Sequence, residues 1–280
     1  SIYITLLSQK EQLSLAKLAE IQAKKALNII TERVKVAKSN IIDQLRAKAN
    51  LSKKSLVVED LQHEIEASKS QLAAQWRGNS NFTVSGSLTS LPNTITLDDA
   101  IKKLMENPKV QVFAARKQLA QSKINLAKVN NKPSWQVSTG IMRNEAVDDF
   151  GFSASILIPL GSDNRNKGKI QSLKAEQMEE EVQADALVQR LSTQLLLLSH
   201  QIKHNTHVVE GLSAETIPAL EQANSEAEKA YLIGSYRYSD WYDIQQELLE
   251  TQSELIQAYT NIQQLNIEFE RITGASSHKK

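Results

Sequence analysis

Apolar residues recur at helical spacing along most of this chain, and the breaks in that pattern mark its parts. Residues 1–77 contain neither Gly nor Pro. Leu13, Leu15, Ala16, Leu18, Ala19 and Ile21 illustrate the helical spacing there. The one soft spot is AKSNI at residues 37–41, where Ser and Asn can bond local backbone and stop a helix. The pattern predicts two helices joined by a tight turn, the second capped by Gly78. Residues 79–95, NSNFTVSGSLTSLPNTI, are polar and β-prone and read as a connector. A helix restarts at TLDD, with Thr96 placed to cap it and Asp99 three residues on. ENPK interrupts that helix at Asn107 and Pro108, a residue pair suited to a fresh helix start. The restarted helix is expected to run to about Asn130, before Pro133.

The period then changes from 3.6 to two. In SWQVSTGIM, Trp135, Val137, Thr139 and Ile141 share one face; Gln136, Ser138 and Gly140 share the other. In FGFSASILI, Phe150, Phe152, Ala154, Ile156 and Ile158 alternate with Gly151, Ser153 and Ser155. RNEAVDD between them is expected to form the hairpin loop. Each strand has about 9–11 residues, near the length that crosses a bilayer as a tilted barrel strand. From Arg165 to about Ile233 the helical pattern returns, a rod of roughly 100 Å at ~1.5 Å per residue. GSYRYSD breaks it, and a last helix runs to ERITG with Gly274 as its cap. The expected organisation is a helical hairpin (1–78), a connector (79–95), an upper helix (96–132), a β-hairpin (133–160), a long helical hairpin (161–274) and a disordered tail (275–280).

The two helical hairpins resemble each other. Laying Ala37 on Gly234 places Asp43 on Asp240 and Arg46 on Asp243, with the capping glycines Gly78 and Gly274 out of step by one residue. The first repeat shows no strand pair, and Ser1 falls in the middle of a helical pattern. Both features suggest a preceding portion of the first repeat, and a targeting segment lost with it.

Composition narrows the function classes. The chain has 280 residues, a formal charge of +1, 5% aromatic residues, 9 Gly and 5 Pro, which suits long helices better than a compact mixed domain. The balanced charge argues against a nucleic-acid binder. With no cysteine there is neither a disulfide frame nor thiol chemistry. No apolar run reaches the length of a transmembrane helix. No catalytic constellation or Gly-rich cofactor turn is present, so no enzyme, cofactor or resident metal is inferred. DNRNKGK lacks the glycine spacing of a phosphate loop and reads as a turn at a membrane interface.

Three stretches carry a family resemblance. They are LDDAIKKLMENPKVQVFAARKQLAQSKINLAKVNNKPSWQVSTG, FGFSASILIPLGSDNRNKGKIQSLKAE and YLIGSYRYSDWYDIQQELLETQSEL. Their order and spacing resemble the TolC-like outer-membrane efflux proteins, most of all the heavy-metal branch (CzcC and CusC type). The chain departs from that branch at Gly161 and Ser162, where Phe is usual, and in showing a single strand pair. The resemblance implies a mainly α fold with long antiparallel, coiled-coil-like helices forming an α-barrel tube. The β-hairpin would join a trimeric transmembrane β-barrel. It further implies a homotrimer in the outer membrane, reaching into the periplasm and docking with a periplasmic adaptor protein and an inner-membrane pump, RND type. Substrates would leave through this passive duct, heavy-metal cations being one class.

The resemblance also implies a gate at the hairpin tips. Asp240 and Asp243, six and nine residues after Gly234, match the acidic positions of the family. Tyr231 and Asp43 match positions of links that hold helix pairs closed. Arg237 stands one residue beyond the usual arginine. A ring of carboxylates from three subunits would attract cations. The bland alternative is that Asp240 and Asp243 cap and solvate their helix. Trp135, Val137, Ile141, Phe150, Phe152, Ile156 and Ile158 are expected to face lipid, unless a soluble core of similar apolar area covers them. His200, His204 and His207 stand at i, i+4 and i+7, a spacing that can bring imidazoles together, but no acidic or sulfur ligand stands nearby. They read as a surface face, and His63 is alone. The competing function is a soluble periplasmic coiled-coil structural or adaptor protein, although the lipoyl-like β domains that flank adaptor hairpins are not found in this sequence.

Overall fold

A computed structural model describes residues 2–91, 96–130, 132, 135–158 and 166–274. Among them the order of elements is α1 (Ile2–Lys35), α2 (Ile41–Ala73), a 3₁₀ turn (Ala74–Trp76), α3 (Leu97–Leu104), α4 (Pro108–Val129), β1 (Gln136–Asn144), β2 (Asp149–Leu157), α5 (Lys167–Gly211), a π turn (Leu212–Thr216), α6 (Ile217–Ile233) and α7 (Tyr238–Thr273). The fold is mainly α with one antiparallel β-hairpin, as the two periods predict. The chain divides into two compact units, Ser1–Leu97 with Leu195–Lys280, and Asp98–Gln194.

The first unit is a set of long helices seamed by small and apolar side chains. α1 buries Ala16, Ala19, Ala23, Ala26 and Ile30, a 3-4-3-4 spacing that keeps one stripe turned inward. The alanines let α2 approach closely. α7 buries Tyr238, Trp241, Gln245 and Leu248 and, further on, Ile262, Asn266 and Phe269 at the same kind of spacing. Polar rungs fix the register of α1 on α7. Thr260 donates to Ser8 Oγ at 2.8 Å and Gln12 Nε2 to Ser253 Oγ at 3.1 Å. Residues 79–91 form no strand. Instead they lay Val84 and Leu88 onto Ile4, Leu6 and Leu7, with Lys10 Nζ bonded to the Val84 carbonyl at 2.7 Å.

α5 and α6 form one helical run with a wide turn inside it. The Ile217 amide bonds to the Leu212 carbonyl five residues back. Pro218 follows at once, and its missing N–H and bulky ring explain the local widening. Ser213 Oγ donates to the Val209 carbonyl at 2.6 Å, and Thr216 Oγ1 to the Gly211 carbonyl at 3.4 Å.

In the second unit, α4 opens as the sequence predicts: Asn107 Oδ1 accepts from the Lys109 amide at 2.8 Å and Pro108 takes the first turn. Ile124, Ala127 and Leu173 pack α4 on α5. Lys117–Glu181 at 2.9 Å and Lys123–Glu176 at 3.6 Å flank that contact.

Three sequence-based boundaries need correction. Arg143, Asn144 and Asp149 belong to the strands, and only residues 145–148 turn. Trp135 and Ile158 lie just outside the paired residues. The end of the first helical hairpin is not capped by Gly78 in the left-handed region; Arg77 occupies it, at φ 55°. Gly78 serves the turn in another way, since a Cβ there would lie 2.1 Å from Trp76 Nε1 and the indole would have to move. Of the predicted membrane-interface turn DNRNKGK (residues 163–169), Lys167, Gly168 and Lys169 already belong to α5 and Asn166 precedes it. Residues 159–165, with Gly161 and Ser162, and the tail (275–280) lie outside the described residues.

Candidate functional site

The two helical turns repeat each other bond for bond. After α1, the Ala37 amide bonds to the Val34 carbonyl at 3.0 Å and the Lys38 amide to the Arg33 carbonyl at 2.8 Å. After α6, the Gly234 amide bonds to the Tyr231 carbonyl at 3.1 Å and the Ser235 amide to the Ala230 carbonyl at 3.0 Å. This double bond pattern is a Schellman closure with a left-handed residue at its centre, Ala37 at φ 57° and Gly234 at φ 88°. The next helices then start at Asn40 and Arg237, both extended. In the same register Arg77 falls on Gly274, both left-handed, which removes the one-residue slip between the expected caps.

An aromatic cluster holds the turns together. Tyr231, Tyr238 and Trp241 are buried with Ala26, Ile30, Ala47 and Ala227. Tyr231 stacks on Trp241 with centroids 5.3 Å apart, and Tyr238 meets Trp241 edge-on at 6.3 Å. Trp241 Nε1 donates to Asn224 Oδ1 at 3.0 Å, so the indole is satisfied inside the cluster. Burial pushes the Tyr238 phenol up to about 12, with the neighbouring Tyr242 adding to the shift.

The predicted residues separate into two groups around this cluster. Tyr231 and Asp43 are brought together through Ser39. Ser39 Oγ lies 3.3 Å from Tyr231 Oη and donates to Asp43 Oδ2 at 3.3 Å. Asp43 also holds the start of α2, its amide bonding Asn40 Oδ1 at 2.8 Å. Arg237 and Asp240 form the second group, Nε to Oδ2 at 3.0 Å, with Ser239 Oγ donating to Asp240 Oδ1 at 2.9 Å. The Ser239 hydroxyl, then the Arg237 guanidinium, hold the Asp240 carboxyl below the usual carboxylate range. Asp243 is exposed, three residues further along α7 on the same side. Its repeat counterpart, Arg46, carries the opposite charge.

Arg33, which the sequence reading did not single out, bridges the hairpins. Its guanidinium donates to the Leu232 carbonyl at 2.6 Å and to the Lys38 carbonyl at 3.3 Å, and stands 4.9 Å from the centre of the Tyr231 ring. Lys25 and Glu228 pair across the same two helices. No local pattern marks Arg33: its partner Leu232 lies far along the chain.

The β-hairpin is the other candidate surface. The register pairs Val137 with Ile156, Thr139 with Ala154 and Ile141 with Phe152, so the predicted apolar set shares one face. The opposite face pairs Ser138 with Ser155 and Gly140 with Ser153; the two serine hydroxyls of the first pair are 2.9 Å apart. Phe152 is 77% and Ile141 75% exposed, so no described residue covers the apolar face. Trp135, Val137, Phe150, Ile156 and Ile158 are exposed as well. Arg143, on the same side at the turn end, bonds Asp148 Oδ1 at 2.7 Å and lies over Phe150.

The histidines do not converge. His200, His204 and His207 are exposed on α5, and the sequence-based expectation of no acidic neighbour is corrected by Glu210, one turn on, 3.4 Å from His207 Nδ1. Among the described residues no group of three or more His, Cys, Asp or Glu side chains is placed to hold a metal ion, and no helix is long and apolar enough to cross a membrane.

No protein-family model matches the chain. The cobalt-zinc-cadmium resistance protein CzcC of Cupriavidus metallidurans is 23% identical over 277 residues, covering 97% of this chain and 66% of the relative. The chain thus spans about two thirds of that relative's length. Among solved structures it is similar to CusC, a protein that forms a transmembrane channel, with a TM-score of 0.81 at 15% identity over 98% of this chain and 67% of the other. It is also similar to the outer membrane protein VceC of Vibrio cholerae, with a TM-score of 0.77 at 15% identity over 99% of this chain and 69% of the other. At such identities the likeness establishes the fold.

Proposed function

We propose that this chain, which has the fold of the TolC-like outer-membrane channel proteins, is part of a passive exit duct in the bacterial outer membrane that extends into the periplasm. The observation that carries this reading is the β-hairpin. Among the described residues its apolar face is uncovered and both strand edges are unpaired, and an isolated two-stranded hairpin is barely stable in water. Lipid on the apolar face and strands of further hairpins on the edges would satisfy both needs. A closed barrel is the one β form that leaves no backbone group unpaired in a bilayer. The opposite face, small and polar at Ser138, Gly140, Ser153 and Ser155 with Met142 and Leu157 towards its ends, would line the water-filled side.

The chain would act as a homotrimer whose helices form a shared tube, working with a periplasmic adaptor and an inner-membrane pump. Heavy-metal cations are the substrate class suggested by the similarity to CzcC. At the periplasmic end, Asp240 and Asp243 from three subunits would form an acidic constriction that favours cations. Arg237 would partly neutralise Asp240, leaving Asp243 as the stronger attractor.

The duct reading is tested by extracting the full-length protein from membranes. A detergent-dependent trimer is expected, and a freely soluble monomer would overturn the reading in favour of a periplasmic coiled-coil or adaptor protein. The gate is tested in planar bilayers with D240N and D243N. Cation selectivity is expected to fall, more for D243N, and unchanged selectivity in both would remove the gate.

A further inference from the structure

We propose that Arg33 is a clamp that sets the spacing between the two helical turns, fastening the first hairpin to the C-terminal end of α6. Its guanidinium meets three groups from both hairpins at once: the Leu232 carbonyl, the Lys38 carbonyl and the face of Tyr231. Leu232 lies in the last turn of α6, where carbonyls lack helical partners and the helix dipole is negative. A cation is the natural ligand there. Arg33 forms no ion pair among the described residues, so its charge is answered by carbonyls and a ring. Its Nε is buried without a hydrogen-bond partner, which leaves the two terminal nitrogens as the gripping atoms.

The geometry calls for arginine and not for charge alone. A planar fork can reach two carbonyls while lying over an aromatic ring; an ammonium group is a point donor. The contact also differs in kind from the Lys25–Glu228 pair beside it. That lysine is 60% exposed, so the pair is open to screening by salt, whereas the Arg33 contacts involve no opposing charge. The consequence for conduction rests on the gate reading above, since a clamp between the turns governs how far the acidic residues can separate. The spacing between the turns does not depend on the gate.

These 280 residues hold no cysteine, so paired labels can be placed among them once any cysteine elsewhere in the full-length protein is replaced by serine. Val36 and Ile233, 62% and 81% exposed, flank the two turns. Spin labels on V36C and I233C in the detergent-solubilised full-length protein, diluted with unlabelled protein, report the spacing within one chain by double electron–electron resonance. One narrow distance distribution is expected, unchanged by K25A or by high salt. R33A and R33K are both expected to broaden it and add a longer-distance population. A distribution unchanged in R33K, or in R33A, overturns the clamp. The conduction and distance measurements separate the two ideas. Selectivity unaffected by D240N and D243N together with a distance change in R33K retains the clamp and removes the gate; the reverse removes the clamp and retains the gate.

Discussion

Ala37 and Gly234 occupy the same place in the two turns, and exchanging their residue types should shift stability in opposite directions. Ala37 sits at φ 57°. The left-handed conformation costs an L-residue roughly 1–2 kcal/mol because Cβ crowds the following carbonyl. Replacing it by glycine removes that cost but frees the unfolded chain, which offsets about 0.4–1 kcal/mol. A37G should therefore stabilise by about 1 kcal/mol, the difference of those two ranges. At Gly234, φ 88°, the balance reverses. A Cβ there would meet Arg33 Nη2 at 3.7 Å, an ordinary contact, so G234A adds no clash to its conformational cost. It should destabilise by about the same 1 kcal/mol. Thermal unfolding followed by far-UV circular dichroism reads the pair as midpoint shifts of about 2 °C, up for A37G and down for G234A. Shifts of the same sign, or an A37G midpoint below that of the native protein, would refute the backbone argument.

Trp241 anchors the aromatic cluster, so W241A should cost about 3–5 kcal/mol, with W241F milder; chemical denaturation midpoints check both. R237Q should move the Asp240 carboxyl back up toward its ordinary range, as carboxyl-detected NMR titration would show; because that group's pKa is depressed in the fold, its stabilisation is present above the unfolded value and disappears as pH falls through the folded one. Tyr238, raised from 10.0 to about 12, should be missing from the phenols that ionise near 10 in an ultraviolet titration; its contribution is full below 10 and is lost as pH climbs through 12. I141K on the apolar face of β1 should lower membrane assembly by about 2–4 kcal/mol if that residue sits near the bilayer midplane, whereas S153K on the other face should assemble normally; a gel assay of heat-modifiable trimers separates them.

The parts of the fold written in local periodicity were legible. The alternation through Val137, Thr139 and Ile141 placed the apolar face correctly, and Asn107–Pro108 marked the start of α4, because each signal lies within a few residues. The strand ends were less legible: Arg143 and Asp149 look like loop residues, yet cross-strand pairing extends to Asn144 and Asp149. Glycine preference misled at Gly78, whose bare Cα makes room for the Trp76 ring while Arg77 takes the left-handed turn. Tyr231 and Asp43 stood out only through the family resemblance, while the Ser39 that joins them and the Arg33 contacts were invisible for a different reason. They join residues nearly two hundred positions apart, and one of them ends on a backbone carbonyl, which carries no residue identity.

The widened turn at Leu212–Thr216 has a consequence for how such a rod can change length. Leu195, Leu198, Ile202 and Val209 are buried at spacings of three, four and seven, and the next buried position, Ile217, comes one residue late. The turn absorbs that surplus residue, so the inward stripe stays in phase on both sides of it. Helical rods ordinarily tolerate an insertion or deletion badly, since one residue swings everything beyond it by about 100°. Here the surplus sits in a loop of backbone already bulged out of phase. Removing one residue from it, with Pro218 replaced as well, would leave a plain α-helix with its partners still aligned. It is a splice point at which the rod can lose a residue without turning its far end.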